Sequence, residues 1–403
     1  MFEDAAKSGI DITAPRIPAW RWLFPLAAIH AAVMVPLSLL ALYHGWISVQ
    51  LATPAAHARE MLFGFALAVI AGYLLGPMPR RQLSLLVTLW LVGRLGVLDW
   101  SGAAISSLAD GAFALWVASR LVPRFIAAKK WRNRLLSPLL GMLCLLAVVT
   151  LTWRYLEDMP TTTPLMHQSV LWLVLLMSFM GGRVIAPAVN GYLMKRFRAA
   201  GTGVQPRIEA ALIVLLGVAP FLMLWATLRP LAALMVLAAG LLVLARIWRW
   251  EPLRCQERPD LQVLMLGYAW IAIGLLLLAR SWWAPQHAST ALHAFTVGAL
   301  GTLASAIMLR HVILRAKRGP EEEAALLPLA GLFAVAAVLR LWAIEVGSHW
   351  LLLLWASALS WSLGWLMVAW RLRVWLGRVA RQVERRAGRR VLAAHTGKLD
   401  PGQ

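Results

Sequence analysis

Acidic residues and cysteines are scarce in this chain, and their scarcity excludes several classes of protein. Only 18 of the 403 residues are Asp or Glu, and the two cysteines, Cys144 and Cys255, stand in separate regions. Two isolated cysteines form neither a disulfide framework nor a CxxC metal motif. Charged residues make up only 14% of the chain, against about a quarter in an ordinary soluble domain. The shortage of charge argues against a soluble globular protein.

The first twenty residues lack the apolar core of a cleavable signal peptide. They contain Glu3, Asp4 and Asp11 and no apolar run, so we expect no cleaved signal and an uncleaved first transmembrane helix that directs insertion. The chain also lacks a nucleophile–base–acid set. The Gly-Thr-Gly run at 201–203 follows no predicted strand and has no helix-opening third glycine, so we interpret it as a loop. No conventional catalytic site is predicted.

Apolar residues are abundant and fall in long runs. They make up 61% of the chain, its mean hydropathy is +0.70, and the runs have the ~20 residues that cross a bilayer core as a helix. These runs lack the alternation of barrel strands. We therefore predict an all-α fold, a polytopic transmembrane helical bundle of about twelve spans. The predicted spans are 22–44, 60–79, 82–99, 102–122, 135–153, 165–187, 208–228, 230–249, 261–280, 288–310, 324–346 and 348–371.

Basic residues divide unevenly between alternate loops. The formal net charge of +21 could indicate a nucleic-acid partner, but its distribution follows the membrane topology instead. One set of loops holds most of the Lys and Arg residues, and the other holds only Arg59, Arg154, Arg229 and Arg280. The positive-inside rule places the first set in the cytoplasm. Because the alternation requires an even number of spans, both termini are predicted to be cytoplasmic.

Three regions follow from this topology. They are a cytoplasmic N-terminal tail at 1–21, a membrane domain at 22–371 and a basic cytoplasmic C-terminal tail at 372–403. In the C-terminal tail, Trp375, Val379 and Val383 share one helical face. We expect this segment to lie as a surface helix on the inner leaflet, where anionic lipids attract its basic residues. The predicted partners are therefore the bilayer and its anionic lipids, and not nucleic acid.

Six of the nine histidines fall at or near the predicted periplasmic side. They are His44, His57, His167, His287, His293 and His349. A layer of imidazoles at one depth is what a haem or copper site requires, because neutral imidazole ligates both metals. The alternative interpretation is that they are solvated interfacial residues.

His57 and His293 each precede a helix face suited to close packing. Glu60, Gly64, Ala68, Gly72 and Gly76 recur every four residues after His57, and Val297, Gly301 and Ser305 do so after His293. Small residues at this spacing let membrane helices approach closely, so the Glu60 side of its helix is expected to face protein. We predict His57 and His293 as metal ligands at one depth. Glu60 is either a helix cap or a third polar group of the site, and Met61 is interpreted as packing.

Three arginines, Arg94, Arg183 and Arg340, lie inside predicted spans. A cation there needs an anionic partner or must reach the interface. The partner could be a haem propionate, which would make these arginines and Glu60 a cofactor-binding set. It could also be a protein carboxylate, which is the favoured interpretation. The carboxylates available are Glu60, Asp99, Asp110 and Glu345.

Four separated stretches form a recognisable series. They are HAREMLFGF at 57–65, GRL at 93–95, SFMGGRVI at 178–185 and HAFTVGALG at 293–301, the last followed by Met308 and Arg310. In order and spacing the chain resembles the NnrS family of bacterial haem- and copper-containing membrane proteins, whose twelve-span layout agrees with the predicted count. The resemblance implies a bacterial inner-membrane protein with a role in tolerance of nitric oxide and nitrosative stress. It implies haem, copper as a further metal, and nitric oxide or a related small ligand.

Two departures from the family pattern bear on the metal site. Arg59 stands where the family has a second histidine, and Arg315 stands where a histidine is expected after the tenth span. Arginine cannot ligate a metal at accessible pH, so a site that needs both positions is incomplete. His311, one turn from Arg315, could substitute in part. Two other functions stay open, a transporter or permease and a metal-free membrane stress or assembly protein.

Overall fold

The chain is folded almost entirely into helices, which confirms the predicted all-α membrane bundle. The computed structural model describes residues 16–46, 51–98, 103–153, 163–198, 205–284, 287–345 and 347–396. Most of the predicted N-terminal tail, Asp99, Arg154 and the run at 201–203 lie outside these residues. The main helices are α1 (Trp20–His44), α2 (Pro54–Leu74), α3 (Arg80–Leu95), α4 (Ala103–Ile126), α5 (Leu136–Trp153), α6 (Thr163–Phe197), α7 (Pro206–Leu222), α8 (Arg229–Trp248), α9 (Pro259–Arg280), α10 (Ala288–Arg315), α11 (Leu326–Trp342) and α12 (Trp350–Thr396).

Each predicted span coincides with one of these helices. Within the described part of the chain, nine helices are long and apolar enough to cross a bilayer, by length and composition. The other three, α3, α7 and α11, have 16, 17 and 17 residues, or roughly 25 Å at 1.5 Å per residue. The membrane bundle is therefore shown, and the exact count of twelve spans stays a prediction.

A short antiparallel ladder is the one departure from helix in the main elements described. Strand β1 (Arg16–Pro18) pairs with β2 (Pro77–Pro79), with Ile17 opposite Met78. Proline cannot donate to a ladder, and a two-stranded ribbon with free edges tolerates it. The ladder holds the residues before α1 against the connection between α2 and α3.

The first and last main helices pack side by side. Trp361 of α12 donates a hydrogen bond from its indole nitrogen to the carbonyl of Ala31 (2.8 Å), and Ser362 donates to the carbonyl of Ala32 (2.7 Å). Ser357 of α12 donates to the carbonyl of Ala336 in α11 (2.7 Å). Lipid tails are as apolar as the helix surfaces, so the hydrophobic effect does not hold membrane helices together. Hydrogen bonds from side chains to the carbonyls of a neighbouring helix help to hold them in place.

The small-residue faces predicted on α2 and α10 are confirmed as close contacts. Glu60 is fully buried, and a Cβ added at Gly72 would lie 2.8 Å from the ring of Phe24 in α1. On α10, a Cβ added at Gly301 would lie 2.9 Å from Phe333 and from Trp361. Both helices therefore pack in the interior of the bundle, where they position their histidines.

Helix α12 continues without a break across the predicted boundary at 371. It has 47 residues, about 70 Å of helix against a bilayer core of about 30 Å. The prediction that Trp375 faces the leaflet was wrong, because its side chain is only 1% exposed and donates to Glu323 in the connection between α10 and α11. Gln382 donates to the carbonyl of Ala316 at 2.8 Å. The first turns of the basic tail therefore pack on the protein, and attraction of the rest to anionic lipids stays a prediction.

Candidate functional site

One cavity of about 320 Å³ brings together the two histidines predicted as metal ligands. His57 of α2 and His293 of α10 both line it, with Arg340 of α11. The walls are otherwise mainly apolar, and residues such as Leu62, Phe65, Leu292 and Trp361 form them. We call this space the histidine cavity. It lies at the end of the bundle predicted to face the periplasm.

The position of His57 follows from how α2 begins. Thr53 is extended at the N-cap, and its hydroxyl accepts a hydrogen bond from the Ala56 amide (3.1 Å). Pro54 occupies the first helical position, where its missing N–H costs nothing. The His57 amide then donates to the Thr53 carbonyl at 3.1 Å. This cap places the imidazole in the first turn of α2, and its Nδ1 is buried without a hydrogen-bond partner.

His293 is held in a single orientation by its own helix. Its Nδ1 lies 2.8 Å from the carbonyl oxygen of Ser289, four residues earlier. A carbonyl accepts only, so Nδ1 carries the proton and Nε2 keeps its lone pair for another partner. This is the arrangement that metal-binding histidines usually have, because the second nitrogen fixes the tautomer and the ring orientation.

A π-helical segment follows each histidine. In α2 it covers Glu60–Ala66, and in α10 it covers Ala294–Ala299. Such segments are rare and occur often at functional sites. The two histidines therefore share an unusual backbone setting as well as a cavity.

Arg340 is the only one of the three predicted arginines that faces this cavity. It is half-buried, and none of the described residues forms a hydrogen bond or ion pair with its guanidinium. Its positive charge acts on both His57 and His293. A cation inside a membrane helix without an acidic partner is costly. The cavity therefore has room and charge for an anionic group.

Glu60 and Arg94 are engaged with each other instead. Arg94 makes ion pairs with Glu60 and with Asp110, and a second arginine, Arg59, lies 3.4 Å from Glu60. His30 Nε2 is 3.6 Å from the Glu60 carboxylate, and all five side chains are buried. We call these five residues the Glu60 cluster. The anionic partners of Arg94 are thus protein carboxylates. Neither Glu60 nor Arg94 lines the histidine cavity.

Arg183 lies away from this cavity, toward the predicted cytoplasmic end. It donates to the carbonyl of Arg132 (3.3 Å) and to the side chain of Asn133, and it lies 5.3 Å from the Phe179 ring. Its neighbours include Glu209, which pairs with Arg132. The structure therefore does not bring Arg183 together with His57 and His293, and its role in binding a cofactor stays a prediction.

Three other ligand-type residues of the histidine cavity were not predicted as ligands: His167 was placed only in the layer of periplasmic histidines, Met61 was interpreted as packing, and Met166 was not considered. The signal for His167 was present, because its span begins at the same predicted depth as His57 and His293. For Met61 and Met166 no signal separates a ligand from a packing residue, since methionine fills core gaps in either case.

The remaining histidines lie elsewhere. His44 packs near Trp355 with a ring separation of 6.0 Å, and His287 lies 3.8 Å from Glu345. His349 is exposed and bonds its neighbour Ser348 (2.9 Å). His311, proposed as a partial substitute for Arg315, sits edge-on to aromatic rings such as Trp20 at 5.4 Å. Of the six histidines predicted near the periplasmic side, three therefore share the cavity.

The two arginine departures cannot belong to one metal site. Arg59 is buried in the Glu60 cluster near the start of α2. Arg315 ends α10, 22 positions after His293, or about 33 Å along the helix. Across the described residues, no three His, Cys, Asp or Glu side chains come together as a metal cluster. The histidine cavity thus offers three imidazoles and two thioethers, and none of the described residues that line it carries a carboxylate.

Comparison with known proteins agrees with the series of motifs. No curated protein and no solved structure has a significant match to the chain. The family model described as "NnrS protein" matches residues 18–379, which covers α1–α11 and the greater part of α12. It includes both histidines, the Glu60 cluster and all three arginines. The chain, a helical membrane bundle, therefore belongs to the NnrS family.

Proposed function

We propose that this NnrS-family protein binds haem in the histidine cavity and acts in tolerance of nitric oxide. The observation that carries the proposal is the meeting of His57, His293 and Arg340, which has no ion-pair partner among the described residues, around one cavity of about 320 Å³. Imidazole is one of the protein ligands that haem iron takes. In this proposal the protein lies in the bacterial inner membrane with both termini in the cytoplasm.

Five side chains have a stated role in this proposal. His57 and His293 would ligate the iron, and the Ser289 carbonyl keeps His293 in the tautomer that leaves Nε2 available. Arg340 would face an anionic propionate. Glu60 and Arg94 hold the first turns of α2 and so position His57 without touching the group. Haem, when bound, would supply a redox-active iron, and a small ligand such as nitric oxide would bind there in exchange for one of the two imidazoles.

The test is an absorption spectrum of the protein purified in detergent. We expect a Soret band in the wild type and its loss in His57→Ala and in His293→Ala. Arg340→Gln should keep the band but release haem more readily to a competing haem-binding protein, because only the anchoring charge is lost. His349→Ala is the matched control, since His349 is exposed at the same end of the bundle and does not line the cavity.

His167→Ala separates the proposed pair from the third histidine. It should retain the band, because His167 lines the cavity but is not a proposed ligand. A monodisperse wild type without a Soret band after expression with added haem would refute the site. So would a band that survives both His57→Ala and His293→Ala.

Copper is a second candidate occupant of the same cavity. Imidazole and thioether are ligands that copper takes, and Met61, Met166 and His167 all line the cavity. Elemental analysis of the same preparation tests it. Bound copper that is lost in Met61→Leu but retained in His349→Ala would support this assignment. A protein that carries haem but no copper would leave haem as the single proposed occupant.

The physiological role is tested by complementation. A strain lacking the protein should grow poorly with a nitric oxide donor, and the wild-type chain but not His57→Ala should restore growth. Rescue by His57→Ala and His293→Ala alike would favour the metal-free alternative. Substrate flux in haem-free proteoliposomes would favour the permease.

A further inference from the structure

A second cavity continues the histidine cavity toward the predicted cytoplasmic end. It has a volume of about 90 Å³, and the same three helices, α2, α6 and α10, form most of both. On α2 the lining passes from Phe65 to Ala66, and on α6 from Val170 to Leu173. Leu300 of α10 lines both. We call the second space the apolar cavity, and its lining runs on to Ile185 and Ile307.

The chemistry of the apolar cavity restricts what it can hold. Apart from Tyr73, its lining residues are Gly, Ala, Val, Ile, Leu and Met. An ion or a strongly hydrogen-bonding molecule would lose its water there and find no partners. Cavities of this kind stay dry and take up small apolar molecules or noble gases. The size and lining therefore fit one small uncharged molecule.

The inner wall of the apolar cavity is protein interior, and half-buried residues such as Ile70, Tyr73 and Met180 leave the cavity open on one side. Leu173, Leu264, Leu303 and Ala304 are each at most 5% exposed. Protein interiors are close-packed, and voids larger than a water molecule are few. The apolar cavity is larger than a water molecule and shares Leu300 with the histidine cavity, which makes it a candidate site for an occupant.

We propose that the apolar cavity binds a small uncharged apolar molecule, of the class of diatomic gases, and passes it to the histidine cavity beside Leu300. Binding in the apolar cavity stands on its lining and volume alone. Only the final step, arrival at an iron held by His57 and His293, rests on the proposed function. The membrane favours this route because apolar gases partition into the bilayer core and are not held back by the charged loops.

Xenon is the probe for the site itself. The isoleucine methyl groups of the purified protein are labelled with carbon-13, and their NMR shifts are followed as xenon pressure rises. We expect saturable shifts at Ile185 and Ile307, which line the cavity, and no saturable shift at Ile273, which is exposed on α9. Ala304→Leu fills the cavity and should abolish the saturable shifts. Ala245→Leu, at an exposed position of α8, is the matched control.

Leu300→Ala keeps the test falsifiable if Ala304→Leu folds poorly. It removes side-chain volume where both cavities are lined by the same residue, so xenon-dependent shifts should remain at Ile307. If the shifts at Ile307 do not saturate, or if they equal the shifts at Ile273 in every variant, the proposal is overturned. So would saturable shifts in the wild type that Ala304→Leu leaves unchanged.

The passage is tested with carbon monoxide on the haem-loaded protein. After flash photolysis, bimolecular rebinding should be several-fold faster in Leu300→Ala and several-fold slower in Ala304→Leu, with Ala245→Leu unchanged. Equal rates in all variants would refute the passage. Xenon binding by a colourless protein would refute the haem proposal and leave the gas site standing, whereas a Soret band without xenon binding would do the reverse.

Discussion

At the scale of single residues, the Glu60 cluster shows how this bundle keeps charges away from water. The charges of Arg59 and Arg94 are balanced by Glu60 and Asp110, and His30 lies against the Glu60 carboxylate. Removing one member of a buried ion pair leaves the other charged and unpaired, which typically costs more than the pair contributed. Glu60 contacts three of the other four members, whereas Asp110 contacts only Arg94. Substitution of Glu60 should therefore cost more stability than substitution of Asp110.

Glu60→Gln should destabilise the protein by about 3–5 kcal/mol, the range for breaking a buried pair, and Asp110→Asn by less. The measurement is the thermal unfolding midpoint in one detergent, followed by loss of monodisperse protein. Glu345→Gln is the control, because the Glu345 side chain is 61% exposed. A midpoint for Glu60→Gln equal to that of the control would show that the cluster does not hold the fold.

Gly64 tests the same cluster from the backbone side. A Cβ there would lie 2.8 Å from His30 Nε2 and 3.1 Å from Arg94 Cζ, and neither side chain is free to retreat because both are held at Glu60. Gly64→Ala should therefore cost about 1–3 kcal/mol as overpacking does. Gly331→Ala in α11 meets nothing within 4 Å and should gain up to about 1 kcal/mol from helix propensity. Equal unfolding midpoints for the two variants would contradict this reading of the contact.

The sequence predicts residues of this cluster better than it predicts their pairing. Arg94 and Glu60 stand out because an ionisable residue within a span is rare. Their pairing depends on which faces of α2, α3 and α4 meet, and no periodicity within one helix fixes that. The same holds for the cavity. Depth follows from topology and gathers the histidines at one end, but rotation about each helix axis decides which of them share a space.

At the scale of elements, hydropathy located every main helix but not every helix end. The second span was predicted from 60, whereas α2 begins at Pro54, because Thr53 and Pro54 form a capped start that a hydropathy run does not register. The last span was predicted to end at 371 with a basic helix continuing from it to 395, and α12 does continue, to Thr396. No proline interrupts that stretch, so nothing in the chain stops the helix where the bilayer ends.

Glu323 fastens the part of α12 that follows the membrane span. Its carboxylate is buried and accepts from Arg371 (2.9 Å), from Trp375 and from the Ala325 amide (3.0 Å). Glu323→Gln should leave Arg371 without its counter-ion and loosen the following turns. We expect faster hydrogen exchange at 372–382 and faster trypsin cleavage after Arg378, with the membrane core unaffected.

Glu322→Gln is the control for that experiment. Glu322 is its chain neighbour and is about half exposed in a surface pair with Arg318 at 3.7 Å, and such pairs contribute little. If exchange over 372–382 rises equally in both variants, or in neither, Glu323 does not anchor the helix.

At the scale of the whole molecule, the number of spans decides whether the two termini lie on the same side of the membrane. An even count puts both termini on one side, and the short helix α11 is one of the three on which the count depends. Its flanking connections contain Arg318 on one side and Ser348 on the other, and both residues are exposed. The distribution of basic residues predicts that Arg318 is cytoplasmic and Ser348 periplasmic. Single cysteines at these two positions therefore test the topology directly.

The native cysteines leave a silent background for this labelling. Cys144 is 2% exposed and Cys255 is fully buried. Burial also raises the pKa of the Cys255 thiol, which lies in the connection between α8 and α9. A raised pKa keeps the thiol protonated as pH rises through neutrality, and only the thiolate reacts with a maleimide. Labelling at pH 7 should therefore leave the wild-type protein unmodified, which is the control.

In spheroplasts, a membrane-impermeant maleimide should label Ser348→Cys at once and Arg318→Cys only after the membrane is permeabilised. This result would place α11 across the bilayer, put the start of α12 outside and its basic end in the cytoplasm, and support the even count. Labelling of both variants in intact spheroplasts, or of neither, would mean that α11 does not cross. If neither variant is labelled, both connections are cytoplasmic and α12 would carry the C-terminus to the periplasm. If both are labelled, the C-terminus stays cytoplasmic, but the orientation predicted for α1–α10, and with it that of the histidine cavity, would be reversed.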